Sequence, residues 1–597
     1  MVRRFTIWLL LSTLILSMGC SREQQVIILG TTDMHGSLFE HNLVYNRPQA
    51  HSLAHVATMV DKIRGQQEGA VFLLDAGDIL QGTPATYYAN YVDTLRPHIV
   101  ARAMNLLRYD AGTVGNHDIE AGPKVYRRVE RQFEHPWLAA NIVDTRTEQC
   151  AFKPYALIER DGVRMAVIGL TTPSVPNWLP PHMWPNMRFD DMVQTAQRWV
   201  DEVHRTEQPD IVVGLFHAGH DYTYQGGSYD QHCNENASII VAQEVAGFDL
   251  IIIGHDHDAL CRRYANPQGD SVLVLDPASG GRYLARATIR LRRNLLGRVV
   301  SKSVEGELLD TEQSQPDPNF CSSLASDLDT LKRFVAQPIG TFAQRMSSRR
   351  CYVEPTAFID FIHRAQLEHT GAEVSFVAPL SLEAAIEQGQ INMGDLFKLY
   401  RFENFLYTMM LYGHEIQRYL EYCAGLWFNT MTAPDVHLLR FKTDTNGRPA
   451  TDGKGAYLLA SNYYNLDCAA GLRYVIDVRQ PEGQRVRILG MADGRPFHPD
   501  TLYSVAINSY RGNGGGGHLT QGVGLSPEVL HRRQVASSVH DIRRIIAELI
   551  ARQSGPITPR SMNCWQVVPA EWTRRAAERD LGLLFPPAST RKQNHQR

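Results

Sequence analysis

Ala111-Gly-Thr-Val-Gly-Asn-His-Asp118 and Leu250-Ile-Ile-Ile-Gly-His-Asp-His257 share one order: an apolar run, a glycine, then side chains that bind metals. The order of apolar run first and polar cluster second recurs three more times. Val26-Ile-Ile-Leu29 leads into Asp33-Met-His35, Val71-Phe-Leu-Leu74 into Asp75-Ala-Gly-Asp78, and Ile211-Val-Val213 with Leu215-Phe216 into His217. Short runs rich in β-branched residues read as buried strands. Between them, His51–Arg64 and Met192–His204 place apolar residues at helical spacing. Strand and helix in alternation predict an α/β layered fold. In such folds polar sites gather beyond the carboxyl ends of the strands, so the polar clusters are expected to meet at one edge of a sheet.

The residues that would meet there are Asp33, His35, Asp78, Asn116, His117, His217, His255 and His257. Taken singly each is weak. Gly77-Asp78 alone is a turn, and a lone His217 at a strand end is more often structural. Together, carboxylate, amide and imidazole suit first-row divalent ions. So many ligand candidates are too many for one tetrahedral zinc and suit two ions sharing a bridging carboxylate, a recurring device for hydrolysing phosphoesters.

The chain has 597 residues, too many for one compact unit, so two large domains are expected. Its apolar fraction is 44% and its charged fraction 21%, which excludes wholesale disorder or a fibre. A net charge of -3 gives no basic footprint for a nucleic-acid polymer. The 23 histidines are the compositional hint of metal chemistry.

Residues 1–20 read as an export signal: Arg3 and Arg4, an apolar stretch Phe5–Met18 too short to span a membrane, and Ser17-Met-Gly-Cys20. That last string resembles the bacterial lipobox, with Ser17 where Leu is usual. It implies a lipid anchor at Cys20 and a location in the periplasm or at the cell surface. Of nine cysteines, none lies in a C-x-x-C pair, so zinc-knuckle and thioredoxin readings have no support. Export permits disulfides, and the sequence does not fix their connectivity.

The expected first domain spans 24–314. A connector helix follows at 315–338 after Gln315-Pro-Asp-Pro318. A second, α+β domain runs from 339 to 567, with helices at Pro355–His369 and Gly413–Gly425 and strands at Tyr457–Ala460, Tyr474–Val478 and Leu502–Ile507. Residues 568–597 read as a peripheral helix and a frayed tail.

Asp-x-His, Gly-Asp, Gly-Asn-His-Asp, a strand-end His and Gly-His-x-His, in that order, are the signature of the calcineurin-like metallophosphoesterases. Thr31-Thr-Asp-Met-His-Gly36, Gly77-Asp-Ile-Leu-Gln-Gly-Thr-Pro84 and Val114-Gly-Asn-His-Asp118 resemble its branch of exported 5'-nucleotidases and 2',3'-cyclic-nucleotide phosphodiesterases. The resemblance covers roughly residues 24–567. It implies a layered metallophosphoesterase sandwich of mixed sheets flanked by helices, and two divalent metal ions (Mn, Zn, Co, Fe or Mg). One would take Asp33, His35, Asp78 and His257, the other Asp78, Asn116, His217 and His255. A water between the two ions would lose its proton and attack phosphorus in line. His117 would stabilise the phosphoryl group, paired with Glu120 where the family usually has Asp.

By the same resemblance the second domain binds the nucleotide. Phe402 and Tyr510 lie where the family places two base-stacking aromatics, with Asn404 and Arg511 beside them as substrate contacts. Two aromatic faces can sandwich any base. The 5'-nucleotidase branch carries a Gly-rich, Arg-bearing segment, whereas here Phe376-Val-Ala-Pro-Leu-Ser-Leu-Glu383 has neither feature. Ala378-Pro379, Ala424-Gly425, Phe428-Asn429 and Tyr510-Arg511 tilt the reading towards the 2',3'-cyclic phosphodiesterase/3'-nucleotidase branch. Two alternatives stand beside it: a thiosulfohydrolase-like sulfur-ester hydrolase and a non-catalytic surface nucleotide-binding lipoprotein. All seven ligands are present, which weighs against the second.

Overall fold

Each apolar run becomes a strand whose two faces are both buried. The computed structural model describes residues 22–587 except 68, 445, 446, 453 and 454. The expected signal at 1–20 with its Cys20, and the last ten residues of the tail, lie outside the described residues. Two compact units form, 22–176 with 181–331, and 332–587 with 177–180.

Twelve strands of the first unit form two six-stranded sheets. In chain order they are β1 (Arg22–Thr31), β2 (Val71–Asp75), β3 (Ala111–Thr113), β4 (Trp137–Leu138), β5 (Tyr155–Arg160), β6 (Val163–Thr171), β7 (Ile211–His217), β8 (Leu250–Ile253), β9 (Ala259–Ala265), β10 (Ser271–Pro277), β11 (Tyr283–Arg293) and β12 (Val299–Asp310). One sheet runs β12-β11-β1-β2-β3-β4 and the other β9-β10-β8-β7-β6-β5. β1 to β4 are parallel neighbours, as are β6, β7, β8 and β10.

The strand period of two explains how the sheets pack. Val26 and Ile28, Phe72 and Leu74 of the first sheet meet Val163, Met165, Val213, Leu215 and Ile252 of the second in one dry layer. The alternate residues of the second sheet, including Ile168, Val212, Phe216 and Ile253, face helices Met192–Thr206 and Ser238–Glu244. Full burial of each such side chain is worth about 1.5–3 kcal/mol. This two-sheet core holds the loops at the strand ends in fixed positions. It also corrects one expectation: the polar clusters converge across two facing sheets, β1, β2 and β3 from one and β7 and β8 from the other.

In the second unit a five-stranded sheet runs Cys468–Ala470, Val374–Val377, Leu502–Asn508, Phe405–Tyr412, Gln534–Asp541. A three-stranded sheet runs Val486–Met491, Leu472–Asp477, Trp565–Val568. Two expectations fail here. Tyr457–Ala460 forms only isolated bridges, Thr451 with Tyr457 and Phe441 with Leu459. Turns at Gly447 and Gly455, both at positive φ, and Pro449 cut this ladder short. The tail helix Ala570–Leu584 is not peripheral: Ala576, Ala577 and Leu584 enter the core. Its Asp580 is fully buried and accepts the backbone N–H groups of Leu438 and Leu439 at 2.7 and 3.0 Å. Among the described residues no helix is long and apolar enough to cross a membrane.

Candidate metal centre

The loops after β1, β2, β3, β7 and β8 place two groups of ligand atoms side by side. Asp33, His35 and His257 form one, and Asp78, His217 and His255 the other. Asp33, His35, Asp78, His255 and His257 all have φ between 46° and 89°. Non-glycine residues rarely hold this left-handed backbone, and it concentrates at functional sites. Glycines make the close approach possible. A Cβ on Gly115 would stand 2.1 Å from Asp78 Oδ1, and one on Gly254 would stand 2.4 Å from Asp33 Oδ2.

Hydrogen bonds aim the ligands. Asp33 Oδ2 accepts the Thr32 hydroxyl (2.7 Å) and the His255 N–H (2.9 Å), while its buried Oδ1 has no protein donor. That Oδ1 lies 3.2 Å from His257 Nε2 and 3.7 Å from His35 Nε2. The Nδ1 of His35 meets the Gln81 carbonyl at 3.0 Å, and that of His217 the Ala76 carbonyl at 2.7 Å. Each Nδ1–H therefore donates to a carbonyl and leaves Nε2 as a lone pair for a cation. Asp78 Oδ1 accepts the His117 N–H at 2.8 Å. Its Oδ2 lies 3.1 Å from His217 Nε2 and 4.0 Å from His35 Nε2, between the two groups. Asn116 Oδ1 completes the second group, 3.1 Å from His217 Nε2 and 2.9 Å from His255 Nδ1.

The electrostatics call for positive charge. Burial alone would raise the Asp33 carboxyl, but His257 and His217 together outweigh it and hold Asp33 well below the usual range. Burial likewise opposes protonation of His217, but Asp78, Asp33 and the Ala76 carbonyl together lift it to about 10, so a cation at Nε2 would take the place of a proton. Burial, with His257 beside it, pushes His35 down to about 3, the neutral form that ligates. An orphaned carboxylate oxygen, paired imidazole lone pairs and a shared carboxylate fit divalent cations.

His117 belongs to neither group. Its Nδ1 pairs with Glu120 Oε2, so the longer Glu reaches where the family has Asp. Burial would lower this imidazole, but Asp78 and Glu120 together raise it to about 9. Sequence reading missed two supports. Glu235 Oε1 holds His255 Nε2 at 3.3 Å, from a loop with no periodic signal. Asp118, adjacent to His117, accepts backbone N–H groups from both the β2 and β3 loops.

In the second unit Phe402 is half-buried and edge-on to Tyr464, with ring centroids 6.2 Å apart. Tyr510 lies against the Gly515 backbone, where a Cβ would come within 2.5 Å of its ring. Asn404 is buried and accepts the Tyr400 hydroxyl at 3.3 Å. Arg511 departs from its expected role. It is buried against Asp467 (3.0 Å), and donates to the carbonyls of Gly515 and Tyr464 and to Asn465 Oδ1. Its guanidinium is thus committed to holding the glycine loop rather than to a substrate.

Residues 27–259 match the family described as calcineurin-like phosphoesterase, and residues 338–521 the 5'-nucleotidase C-terminal domain. The chain is 26% identical over 530 residues to Protein UshA of Yersinia enterocolitica, covering 83% of this chain and 87% of that one. It is 24% identical over 630 residues to a 2',3'-cyclic-nucleotide 2'-phosphodiesterase/3'-nucleotidase, also of Yersinia enterocolitica, covering 95% and 92%. A crystal structure of a 5'-nucleotidase of Staphylococcus aureus, described there as putative, shares the fold with a TM-score of 0.73 at 21% identity, covering 91% of this chain and 100% of that one. With both domains matched in order, the chain belongs to the metallophosphoesterases that carry a 5'-nucleotidase C-terminal domain.

Proposed function

We propose that this chain hydrolyses nucleotide phosphoesters, with 2',3'-cyclic and 3'-nucleotides preferred over 5'-nucleotides. The observation that carries the hydrolytic reading is Asp78 Oδ2, set between His217 and His35 at the meeting of two ligand groups. Two divalent cations held by these groups would supply Lewis acidity towards the phosphoryl oxygens and acidify water. Asp33, His35, Asp78 and His257 would hold one, and Asp78, Asn116, His217 and His255 the other. His117 keeps its proton because Glu120 and Asp78 face it. With Nδ1 given to Glu120, its other N–H is left to donate to a phosphoryl oxygen as negative charge builds there. Phe402 and Tyr510 take the base by stacking, with Asn404 beside them.

The branch preference rests on Phe376–Glu383, which lacks glycine and arginine, and on Arg511, whose charge is spent within the fold. A phosphate-release panel tests it, comparing 2',3'-cyclic AMP, 3'-AMP, 5'-AMP and bis(p-nitrophenyl) phosphate with Mn²⁺, Co²⁺ or Zn²⁺. A clear preference for 5'-AMP overturns the branch, and release from none overturns hydrolysis. We also propose export and a lipid anchor at Cys20, supported by residues 1–20 as sequence. Mass spectrometry of the mature N-terminus tests both.

A further inference from the structure

Between β7 and β8 the chain makes a long loop, 218–237, that returns to the N-terminus of helix Met192–Thr206. There Asp191, His232 and Cys233 bring a carboxylate oxygen, an imidazole nitrogen and a thiol sulfur within 4.8 Å of one another. None of them belongs to the metal centre described above. Asp191 is nearly buried and fixed twice: Oδ1 caps the helix by accepting the Gln194 N–H at 3.0 Å, and Oδ2 accepts the Cys233 N–H at 2.8 Å. Each oxygen keeps a further lone pair. Cys233 forms no disulfide, is half-buried and has φ of 55°, while His232 is exposed. All three line an open cleft of about 600 Å³.

We propose that Asp191, His232 and Cys233 form a third cation site, selective for a borderline-soft divalent ion of the zinc class. The mixed oxygen, nitrogen and sulfur set favours zinc over magnesium or calcium, which take oxygen ligands. Bonds of about 2.0–2.3 Å around tetrahedral zinc put ligand atoms roughly 3.3–3.7 Å apart, so these groups need to close by only about 1 Å. The fourth position faces the cleft. The thiol must release its proton to solvent as the S–metal bond forms, so affinity rises with pH. Two arginines also line the cleft, and both are engaged. Arg188 pairs with Asp190 at 2.7 Å and Glu148 at 3.0 Å, and the Arg198 guanidinium lies over the Trp199 ring. The site would clip the long loop to the helix two residues before Glu235, which holds His255.

The phosphoesterase centre contains no sulfur, and comparison with Cys233→Ser separates this site from the other free cysteines. The purified full chain, reduced and loaded at its phosphoesterase centre with Mn²⁺, is titrated with Cd²⁺ and watched for thiolate-to-metal charge transfer in the near ultraviolet. A band that saturates at one thiolate site per chain, disappears in Cys233→Ser and weakens in His232→Ala supports the proposal. No band in the wild type, or one that survives Cys233→Ser, overturns it. His232 is exposed, so His232→Ala preserves folding and keeps the test decisive.

Discussion

Asp118→Asn changes one atom of a fully buried side chain, yet it should loosen the whole centre. Asp118 Oδ1 accepts the N–H groups of Ile79 (2.9 Å) and Leu80 (3.0 Å), and Oδ2 those of Asp78 (3.0 Å) and Gly115 (2.8 Å). All four donors are buried, and two of them fix the backbone of Asp78, itself at φ 58°. A carboxylate can accept all four, but an amide can accept only at its oxygen. In Asp118→Asn the NH₂ group must face one donor pair, leaving two buried N–H groups unpaired. At about 1–3 kcal/mol each, the cost is about 2–6 kcal/mol. That is a large share of the ~5–15 kcal/mol that holds a folded protein together. Urea unfolding should show a lower midpoint at unchanged slope. Hydrogen exchange at residues 78–80 and 115 should accelerate, and metal should bind more weakly because the Asp78 turn loses its anchor. An unchanged midpoint with unchanged exchange at those amides would refute the reasoning.

The remaining predictions probe the site and the second unit. His117→Asn should lower turnover by roughly 10²–10⁴-fold with metal content unchanged; a fall in metal by elemental analysis would make His117 a ligand. Phe402→Ala or Tyr510→Ala should cost about 1–3 kcal/mol of nucleotide binding per stacking face and leave bis(p-nitrophenyl) phosphate hydrolysis little changed; equal losses on both substrates would assign these rings to the fold. Burial raises the Asp467 carboxyl, but Arg511, His518 and the Tyr419 hydroxyl together outweigh it and the net shift is downward. Its stabilising contribution is therefore present above the unfolded carboxyl range near pH 4 and is lost as pH falls through the depressed value. Asp467→Asn should remove that acid-limb dependence and strand a buried guanidinium at about 3–5 kcal/mol, measured by thermal melts across pH 2–7.

The candidate ligands are legible in the sequence because each lies just beyond an apolar run. A buried strand ends where its apolar run gives way to polar residues, and in parallel α/β sheets that end faces the site. Asn116, His217 and His255 needed no more than this rule. What the rule lacks is pairing between strands. β1, β2 and β3 read the same as β7 and β8 along the chain, so nothing local says that two sheets, not one, supply the ligands. Glu235 was hidden for a related reason. Its loop 218–237 has no period, and its link to His255 spans 20 residues by a contact that only folding creates.

Arg511 shows the opposite failure, a residue legible by analogy but given the wrong task. Next to Tyr510 in a glycine-rich loop, a cation reads naturally as a grip on phosphate. The glycines explain why the structure uses it otherwise. Gly514, Gly516 and Gly517 all hold positive φ, and a Cβ on Gly516 would sit 2.1 Å from Arg511 Nη1. Such a loop folds back on itself and leaves carbonyls pointing inward that no strand or helix satisfies, and buried carbonyls must find donors. Arg511 donates to the Gly515 carbonyl of the loop and to the Tyr464 carbonyl beside it, and Asp467 balances its charge. The same glycines that let backbone approach a base thus require an internal cation to hold their shape. If Tyr510 stacks on a base as proposed, an Arg511→Lys variant, with one point charge in place of a fork of donors, should loosen the loop and with it base binding, read as a higher nucleotide KM with bis(p-nitrophenyl) phosphate hydrolysis unchanged.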